Sequence, residues 1–323
     1  MSTPAYPPTA YIGSGPYCYS NALAMTAGVA PAVEVPDPWV IETLTGSPFG
    51  VQLIGGTLPF FDPYGWDPEQ GLDAAVELLG LGCERTAGGT PGQALDRLRA
   101  ALARGPVLVG PVDMGLLLHQ PGTPAADFGD HYAVVLEATA TTVLLHDPEG
   151  FPYATLPVDA FEAAWRAEAV DYGPEPYVLR TGFVRAREVP VREALRRSLP
   201  RALDWLAGRG GTAPVPPGTL GGAEAVLALA ELAAVGLAPG TRRLLREFGV
   251  RVGARRLADA ARALALLGLE TAATAAAGQA RALGALQEPL SRGDDAALAA
   301  ALHRLAPGYE RLHGALAAAL GSR

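Results

Sequence analysis

The 323-residue chain contains little cysteine and no lysine: it has two cysteines, and all 25 of its basic residues are arginine. Cys18 and Cys83 are too few for a disulfide framework, and no CxxC or Cys/His ligand spacing accompanies them, so we expect no metal site. The formal net charge of −8 argues against nucleic acid as a partner, because neutralising phosphates requires clustered positive charge.

Long apolar runs are also missing from the sequence. No run reaches the roughly 18 to 20 residues that cross a bilayer, and residues 1–10 have neither the basic start nor the apolar core of a signal peptide. Hydrophobic residues nevertheless make up 49% of the chain and charged residues 18%, which excludes general disorder and allows a substantial core. We therefore predict a cytoplasmic globular protein without membrane contact.

Strand and helix patterns are mixed up to about residue 187. Short β-branched apolar runs predict strands, and periods of three to four residues predict helices. The predicted strands are 106–114, 131–138, 141–147 and 177–188, and the predicted helices are 18–28, 67–82, 90–105 and 157–169. The segment 33–66 is rich in Pro, Gly and aromatic residues, which predicts mainly loop.

From about residue 190 the composition changes to Ala, Leu and Arg with no strand pattern. We therefore predict an α+β domain over residues 1–187 and an all-α domain over residues 188–323, with a linker at about 208–222. Pro200 should kink or break its helix. Further breaks are expected near Gly240, Gly253, Pro289 and Pro307. Apolar helices in this tail could pair two chains.

Cys18 lies in "GSGPYCYSNAL", where a loop rich in Gly, Ser and Pro meets a predicted helix. The free N–H groups and the positive dipole end at a helix start favour thiolate over thiol, so we expect them to lower the pKa of Cys18. The same N–H groups can stabilise an oxyanion. The alternative is that Cys18 is a small apolar residue that packs well, as we expect for Cys83.

A nucleophilic thiol needs a base, and the base needs an orienting acceptor. His131 begins one predicted strand, and Asp147 ends the next one, sixteen residues later. If these strands pair antiparallel, His131 and Asp147 become neighbours. His146 should point to the opposite face from Asp147, and His119 should lie in a loop beside the site. A chance occurrence of Cys, His and Asp is the alternative.

Three stretches together give the chain a family resemblance: "GSGPYCYSNALAM", "GPVLVGPVDM" and "GDHYAVVLEATATTVLLHDPEG". They resemble the amino-terminal domain of the butirosin biosynthesis protein H-like family and, more distantly, the peptidase domains of double-glycine bacteriocin exporters. The resemblance covers roughly residues 10–185, and the helical tail resembles the carboxy-terminal region of the butirosin-type proteins. It implies a papain-like fold with an antiparallel sheet, in which Cys18 is the nucleophile, His131 the base and Asp147 its orienter.

The activity implied by this resemblance is cysteine-dependent acyl transfer, or thioester hydrolysis, in natural product biosynthesis. The acyl group would come from an acyl or peptidyl carrier protein, on whose phosphopantetheine arm it is held, and would pass through acyl-Cys18 to an amine, a hydroxyl or water on a small-molecule acceptor. No cofactor of the enzyme itself is implied. A cysteine peptidase or amidase, or a non-catalytic binding scaffold, are the alternatives.

One position departs from the peptidase relatives, which have a glutamine of the oxyanion hole six residues before the cysteine. This chain has Ile12 there. Ser14, Tyr11 or a main-chain N–H could replace the missing donor, and the loss weakens the peptidase interpretation more than the acyltransferase one.

Further residues are candidates for substrate binding, and most of them have a structural alternative. Two of them could instead cap or hydrogen-bond the backbone, and the aromatic ones could pack in the core. The candidates are Tyr19, Asn21, Asp113, Phe60, Phe61 and Trp66.

Overall fold

A computed structural model describes residues 9–30, 33–124, 129–173 and 175–321. Residues 1–8, on which part of the signal-peptide expectation depends, lie outside this range. The chain divides into two compact units: the first unit is Met1–Pro38 with Leu79–Glu188, and the second unit is Trp39–Leu78 with Val189–Arg323. The division predicted at 187/188 lies one residue from the third crossing between the units, at 188/189. Residues 39–78, however, group with the second unit, unlike the predicted domain 1–187.

The helices and strands of both units are numbered here in the order in which they occur along the chain. The strands are β1 (Gln52–Ile54), β2 (Leu58–Phe60), β3 (Leu81–Thr86), β4 (Val107–Asp113), β5 (Asp130–Ala138), β6 (Thr142–Asp147), β7 (Phe151–Pro157), β8 (Leu179–Arg185) and β9 (Leu220–Gly221). The helices are α1 (Cys18–Ala27), α2 (Pro38–Leu44), α3 (Pro68–Leu78), α4 (Pro91–Leu102), α5 (Val158–Trp165), α6 (Val191–Leu206), α7 (Gly222–Val235), α8 (Pro239–Leu244), α9 (Val250–Leu266), α10 (Glu270–Gly284), α11 (Gln287–Arg292), α12 (Asp295–Leu305) and α13 (Pro307–Gly321).

The first unit is built on an antiparallel sheet of strand order β3-β8-β4-β5-β6-β7. The predicted pairing of β5 with β6 is confirmed, with Val134 opposite His146. Every residue of β4 is buried, so both faces of the sheet are covered at its centre. Helices α4 and α5 bury apolar residues such as Leu98 and Trp165 in the core with alternate residues of β4 and β5. The fold is therefore α+β with an antiparallel sheet, as predicted.

Capping explains where α4 begins. Thr90 is its N-cap, and its hydroxyl accepts from the N–H of Gln93, whose side chain accepts from the N–H of Thr90. Pro91 takes the first helical position, where a missing N–H costs nothing. The predicted start at Thr90 is confirmed.

The second unit combines a small sheet, of strand order β2-β1-β9, with helices α2, α3 and α6 to α13. The prediction that 33–66 is mainly loop is confirmed, although α2, β1 and β2 also lie there. The predicted linker at 208–222 contains β9, which pairs with β1. Strands this short carry too little periodicity to be seen in the sequence.

A buried ion network ties the 39–78 segment to the carboxy-terminal helices of the same unit. Arg256 of α9 donates to Glu42 of α2 at 2.8 Å and to Asp62 at 3.2 Å. Gln52 donates to Asp62 at 2.8 Å, and Ser47 donates to Glu42 at 2.9 Å. These buried charges are thereby paired and hydrogen-bonded, as burial requires.

The expected helix breaks are only partly observed. Helix α6 continues through Pro200, which is exposed, so the ring costs the helix a hydrogen bond without ending it. Gly253 lies inside α9, where a Cβ would come within 2.5 Å of Phe61 Cβ, so glycine is needed there for close packing. Pro289 lies within α11, whereas Pro307 begins α13.

Among the described residues, no single helix is both long and apolar enough to cross a membrane. One sharply bent pair, α7 together with 239–266, meets the length and composition requirement.

Candidate active site

Cys18 is the first residue of α1, as the sequence predicted. The chain reaches this helix through a tight turn in which Ser14 and Tyr17 both have a left-handed φ of 86°. The N–H of Ser14 donates to the carbonyl of Pro148 at 2.8 Å, which ties the turn to the segment after β6. Helix geometry gives the N–H of Cys18 no acceptor inside α1, so this group can stabilise an oxyanion on an acyl group bound to the thiol.

His131 and Asp147 are hydrogen-bonded neighbours, as the hairpin of β5 and β6 predicted. Nε2 of His131 donates to Oδ1 of Asp147 at 2.6 Å. Because Nε2 is occupied, Nδ1 is the ring nitrogen left for the hydrogen bond between His131 and the thiol of Cys18. The side chains of His131 and Asp147 are 3% and 0% exposed, so the pair is shielded from water.

The charges of this site fix its protonation. Burial alone would lower the pKa of His131, but Asp147 and the Cys18 thiolate outweigh it and hold that pKa well above 6.5. Burial would raise the pKa of Asp147, but the charge of His131 and several hydrogen bonds hold it well below 3.8. Asp147 is therefore an anion throughout the neutral range.

Burial raises the pKa of the Cys18 thiol, and His131 opposes this effect. The lowering expected from the helix start is therefore not the net result, because desolvation of the thiolate outweighs it. Cys18 and His131 titrate as a coupled pair that shares a proton. The thiolate forms by passing that proton to Nδ1 of His131, which Asp147 makes more basic.

Polar groups of β5 and of the 166–178 segment flank the thiol. The main-chain N–H of Tyr132 donates a hydrogen bond to Cys18. The nearby negative charge of Asp130 raises the pKa of the thiol further, although less than burial does. The hydroxyl of Tyr172 donates to Asp130 at 2.7 Å and lies 3.3 Å from the hydroxyl of Tyr132. Burial, followed by the charge of Asp130, raises the pKa of Tyr172 well above 10, so Tyr172 stays a neutral donor.

Two contacts of Asp147 were missed by the sequence. Nε2 of His119 donates to Oδ2 of Asp147 at 2.7 Å, and Nε2 of Gln120 donates to the same oxygen at 2.5 Å. The N–H of Glu149 donates to Oδ1 at 2.8 Å. A His-Gln pair directly after the apolar run "GLLL" was the available signal, and His119 was expected only to lie beside the site.

The residues considered for the oxyanion hole have other partners. The hydroxyl of Tyr11 donates to the main-chain carbonyl of Asp147 at 2.9 Å, and the N–H of Ser14 is bonded to Pro148. Their oxyanion role stays a prediction, and the N–H of Cys18 is the better-placed donor by helix geometry.

Three substrate-binding candidates of the first unit make structural contacts. Tyr19 is buried against Tyr132 in an edge-to-face contact at 5.9 Å. The side chain of Asn21 lies 3.5 Å from the carbonyl of Pro16. Asp113 accepts from the N–H of Gly115 at 2.9 Å and so caps a 3₁₀ helix.

The aromatic candidates lie in the second unit. Phe61 and Trp66 are buried, and Trp66 Nε1 donates to the carbonyl of Thr45 at 2.9 Å. Phe60 ends β2 and pairs with Gln52. Core packing, the alternative considered for these rings, is what the structure shows for Phe61 and Trp66.

His146 has a structural role. Its Nε2 donates to the carbonyl of Thr9, and its Nδ1 accepts from the N–H of Tyr153, both at 3.1 Å. Burial lowers its pKa, which keeps the ring neutral. In the part of the chain that the structure describes, no group of three or more His, Cys, Asp or Glu side chains is arranged to hold a metal ion.

Comparison with known proteins adds two similarities. The family described as the YobF C-terminal domain matches residues 216–317, which lie in the second unit and do not include Cys18, His131 or Asp147. The uncharacterized protein YobF of Bacillus subtilis (strain 168) is 33% identical over 168 residues, 50% of this chain and 52% of that protein. The chain therefore spans about half the length of the curated relative that it matches.

Proposed function

We propose that the chain is a cysteine acyltransferase or thioesterase of papain-like fold, acting in the cytoplasm on a thioester held by a carrier protein. The observation that carries this proposal is the hydrogen-bonded series Cys18–His131–Asp147, with the thiol at a helix start. Nucleophile, base and orienter are the parts that acyl transfer through a covalent intermediate requires.

The first half-reaction acylates the enzyme. Cys18 gives its proton to Nδ1 of His131, and the sulfur attacks the thioester carbonyl. The oxyanion that forms lies within reach of the N–H groups at the start of α1. When the tetrahedral adduct collapses, the bond to the carrier sulfur breaks, and His131 returns its proton to that sulfur. A thioester is exchanged for a thioester, so this step is close to isoenergetic.

The second half-reaction frees the thiol. An amine or hydroxyl of the acceptor, or a water molecule, attacks the carbonyl of acyl-Cys18, and His131 takes the proton of the attacking group. The carbon–sulfur bond breaks, and His131 protonates the leaving thiolate of Cys18. The raised pKa of His131 suits this return, because an imidazolium held by Asp147 persists until the leaving sulfur needs a proton.

Thiol release from a short acyl thioester of N-acetylcysteamine tests the proposal. We expect release with the native chain and with Cys83→Ala, and none above background with Cys18→Ala or His131→Ala. Cys83 is the matched control because it is the second cysteine of the chain. Cleavage of peptides but not of thioesters would replace the proposal by a peptidase, and turnover by Cys18→Ala would contradict both.

A further inference from the structure

The segment that follows β4 is built to present two neighbouring side chains. Asp113 caps the 3₁₀ helix Met114–Leu116 by accepting from the N–H of Gly115. Leu117 is fully buried, and its carbonyl accepts from the N–H of Gln120 at 2.8 Å. The hydroxyl of Thr123 donates to the carbonyls of both Leu117 and Gln120, at 3.0 and 2.7 Å. The turn is thus closed by hydrogen bonds at both of its ends.

Both side chains of this turn reach the same oxygen. His119 and Gln120 donate to Oδ2 of Asp147, whereas His131 and the N–H of Glu149 donate to Oδ1. Asp147 is fully buried, and Gln120 is 6% exposed. A buried carboxylate needs such donors, because an unpaired one loses its hydration without replacement.

We propose that His119 is a positioning residue of the Cys18–His131–Asp147 site, which together with Gln120 holds Oδ2 so that Oδ1 faces His131. With donors on both oxygens, the carboxylate cannot rotate about its Cβ–Cγ bond without breaking hydrogen bonds on both sides. His131 is then kept with its proton on Nε2 and its lone pair on Nδ1, toward Cys18. The inference rests on the proposed function only in taking Cys18 as the nucleophile.

The ring of His119 is itself held in place. It makes an edge contact with Phe151 at 5.3 Å, and its side chain is 11% exposed. Nε2 must carry a proton to donate to the carboxylate, and Nδ1 is buried without a partner among the described residues. A proton on Nδ1 would be a buried donor without an acceptor, which is unfavourable. His119 therefore acts through Nε2–H as a hydrogen-bond donor to Asp147.

Replacing His119 by Gln or by Asn tests whether this residue positions Asp147 or only supports the fold, because both variants carry the same amide group at different reach. In a Gln side chain the amide nitrogen occupies the place of a histidine Nε2. In an Asn side chain it occupies the place of Nδ1, and this shorter side chain does not reach Oδ2 of Asp147. We expect His119→Gln to keep the rate of Cys18 alkylation by iodoacetamide within about 3-fold of native. We expect His119→Asn to lower it about 10- to 100-fold, by analogy with the loss found when a hydrogen-bond partner that orients a metal-ligating side chain is removed.

Alkylation is followed for each cysteine by peptide mass spectrometry. Cys83 reacts in the same molecules and is the internal control, and His303→Gln, on α12, is the control for loss of a histidine elsewhere. The imidazole ¹⁵N spectrum of His131, recorded at a pH above the raised pKa of this ring so that the ring is neutral, gives a second readout: the Nε2–H tautomer should dominate in the native chain and in His119→Gln, but not in His119→Asn.

Equal behaviour of the Gln and Asn variants, whether both native-like or both impaired, would overturn the proposal. An unchanged His131 tautomer in His119→Asn would do the same. Neither readout uses a thioester, so a failure here is distinct from a failure of acyl transfer. If thioesters are not turned over but the two variants differ as expected, the positioning role stands and the proposed reaction falls.

Discussion

Replacement of Asp147 by Asn is the most informative change at the site, because it removes one charge and almost no volume. The amide can present its oxygen to His131 only by turning its NH₂ toward His119 and Gln120. That orientation is the favoured one, because the main-chain N–H of Glu149 points at the Oδ1 position and can only donate a hydrogen bond. An oxygen at this position accepts from that N–H, whereas an NH₂ group there would face a second donor. Gln120 can flip its amide to suit the NH₂ group, whereas His119 can accept from it only by moving its proton to the buried, unpartnered Nδ1, which adds a cost but leaves the N–H of Glu149 satisfied. The Nε2–H tautomer of His131 is therefore retained.

The size of the effect follows from that orientation. A hydrogen bond to a charged group contributes about 1.5 to 3 kcal/mol, and each 1.4 kcal/mol is about tenfold in rate. Since the charge of Asp147 stabilises the imidazolium of His131 that forms during attack, we expect kcat to fall about 10- to 150-fold in Asp147→Asn. A reversed tautomer would instead cost about 10⁴-fold. The pKa of His131 should also fall, because Asp147 is the strongest of the groups that raise it.

The assay combines thioester turnover with NMR of the imidazole nitrogens of His131. A loss of about 10- to 150-fold, with the tautomer retained and the pKa of His131 lowered, is the expected result. A loss near 10⁴-fold with a reversed tautomer would refute the role given to the N–H of Glu149. An unchanged pKa of His131 would refute the electrostatic role of Asp147.

Three further outcomes concern stability. Because the pKa of folded Asp147 lies below 3.8 and that of folded His131 above 6.5, their pairing stabilises the fold fully between about pH 4 and 6.5. This stabilisation is lost as the pH falls through the folded pKa of Asp147 or rises through that of His131, so urea unfolding of the native chain and of Asp147→Asn should differ most in that window. Arg256→Ala should cost about 3 to 5 kcal/mol in urea unfolding, because it removes the positive charge that compensates the buried carboxylates of Glu42 and Asp62. Gly253→Ala should cost about 1 to 3 kcal/mol by overpacking, whereas Gly278→Ala, with open space at its Cβ, should stabilise α10 by about 0.5 to 1 kcal/mol.

The controls use exposed or uncrowded sites of the same chain. Arg209→Ala removes an ion pair whose side chains are 68% and 53% exposed, and should change the free energy of unfolding by less than about 1 kcal/mol. An equal cost for Arg209→Ala and Arg256→Ala would contradict the assignment of the buried network. A change of the same sign in the free energy of unfolding for Gly253→Ala and Gly278→Ala would contradict the packing argument. A stability difference between the native chain and Asp147→Asn that does not vary with pH would contradict the stabilising role given to the charges of Asp147 and His131.

Local patterns were enough to predict the elements that position the site. The small residues before Cys18 and the apolar period after it predicted the start of α1, and two β-branched runs predicted the hairpin that joins His131 to Asp147. In both cases the signal lies within one short continuous stretch of the sequence. Element type and register follow from such spacing without knowledge of the rest of the fold.

Contacts between distant parts of the chain could not be predicted in this way. His119 and Gln120 meet Asp147 across 28 and 27 residues, and no local pattern marks that approach. Residues 39–78 belong to the second unit, where Glu42 and Asp62 pair with Arg256, some 200 residues away along the chain. The raised pKa of the Cys18 thiol depends on how deeply the completed fold buries it, which the helix start alone does not determine.

The most direct test of the central claim is intact-mass measurement of the full chain after brief exposure to an acyl thioester, followed by peptide mapping. We expect a mass increase of one acyl group, located on Cys18, that disappears when an amine acceptor is added and is absent from Cys18→Ala. No adduct on the native chain while thioester turnover continues, or an adduct located on Cys83, would contradict the assignment of Cys18 as the nucleophile.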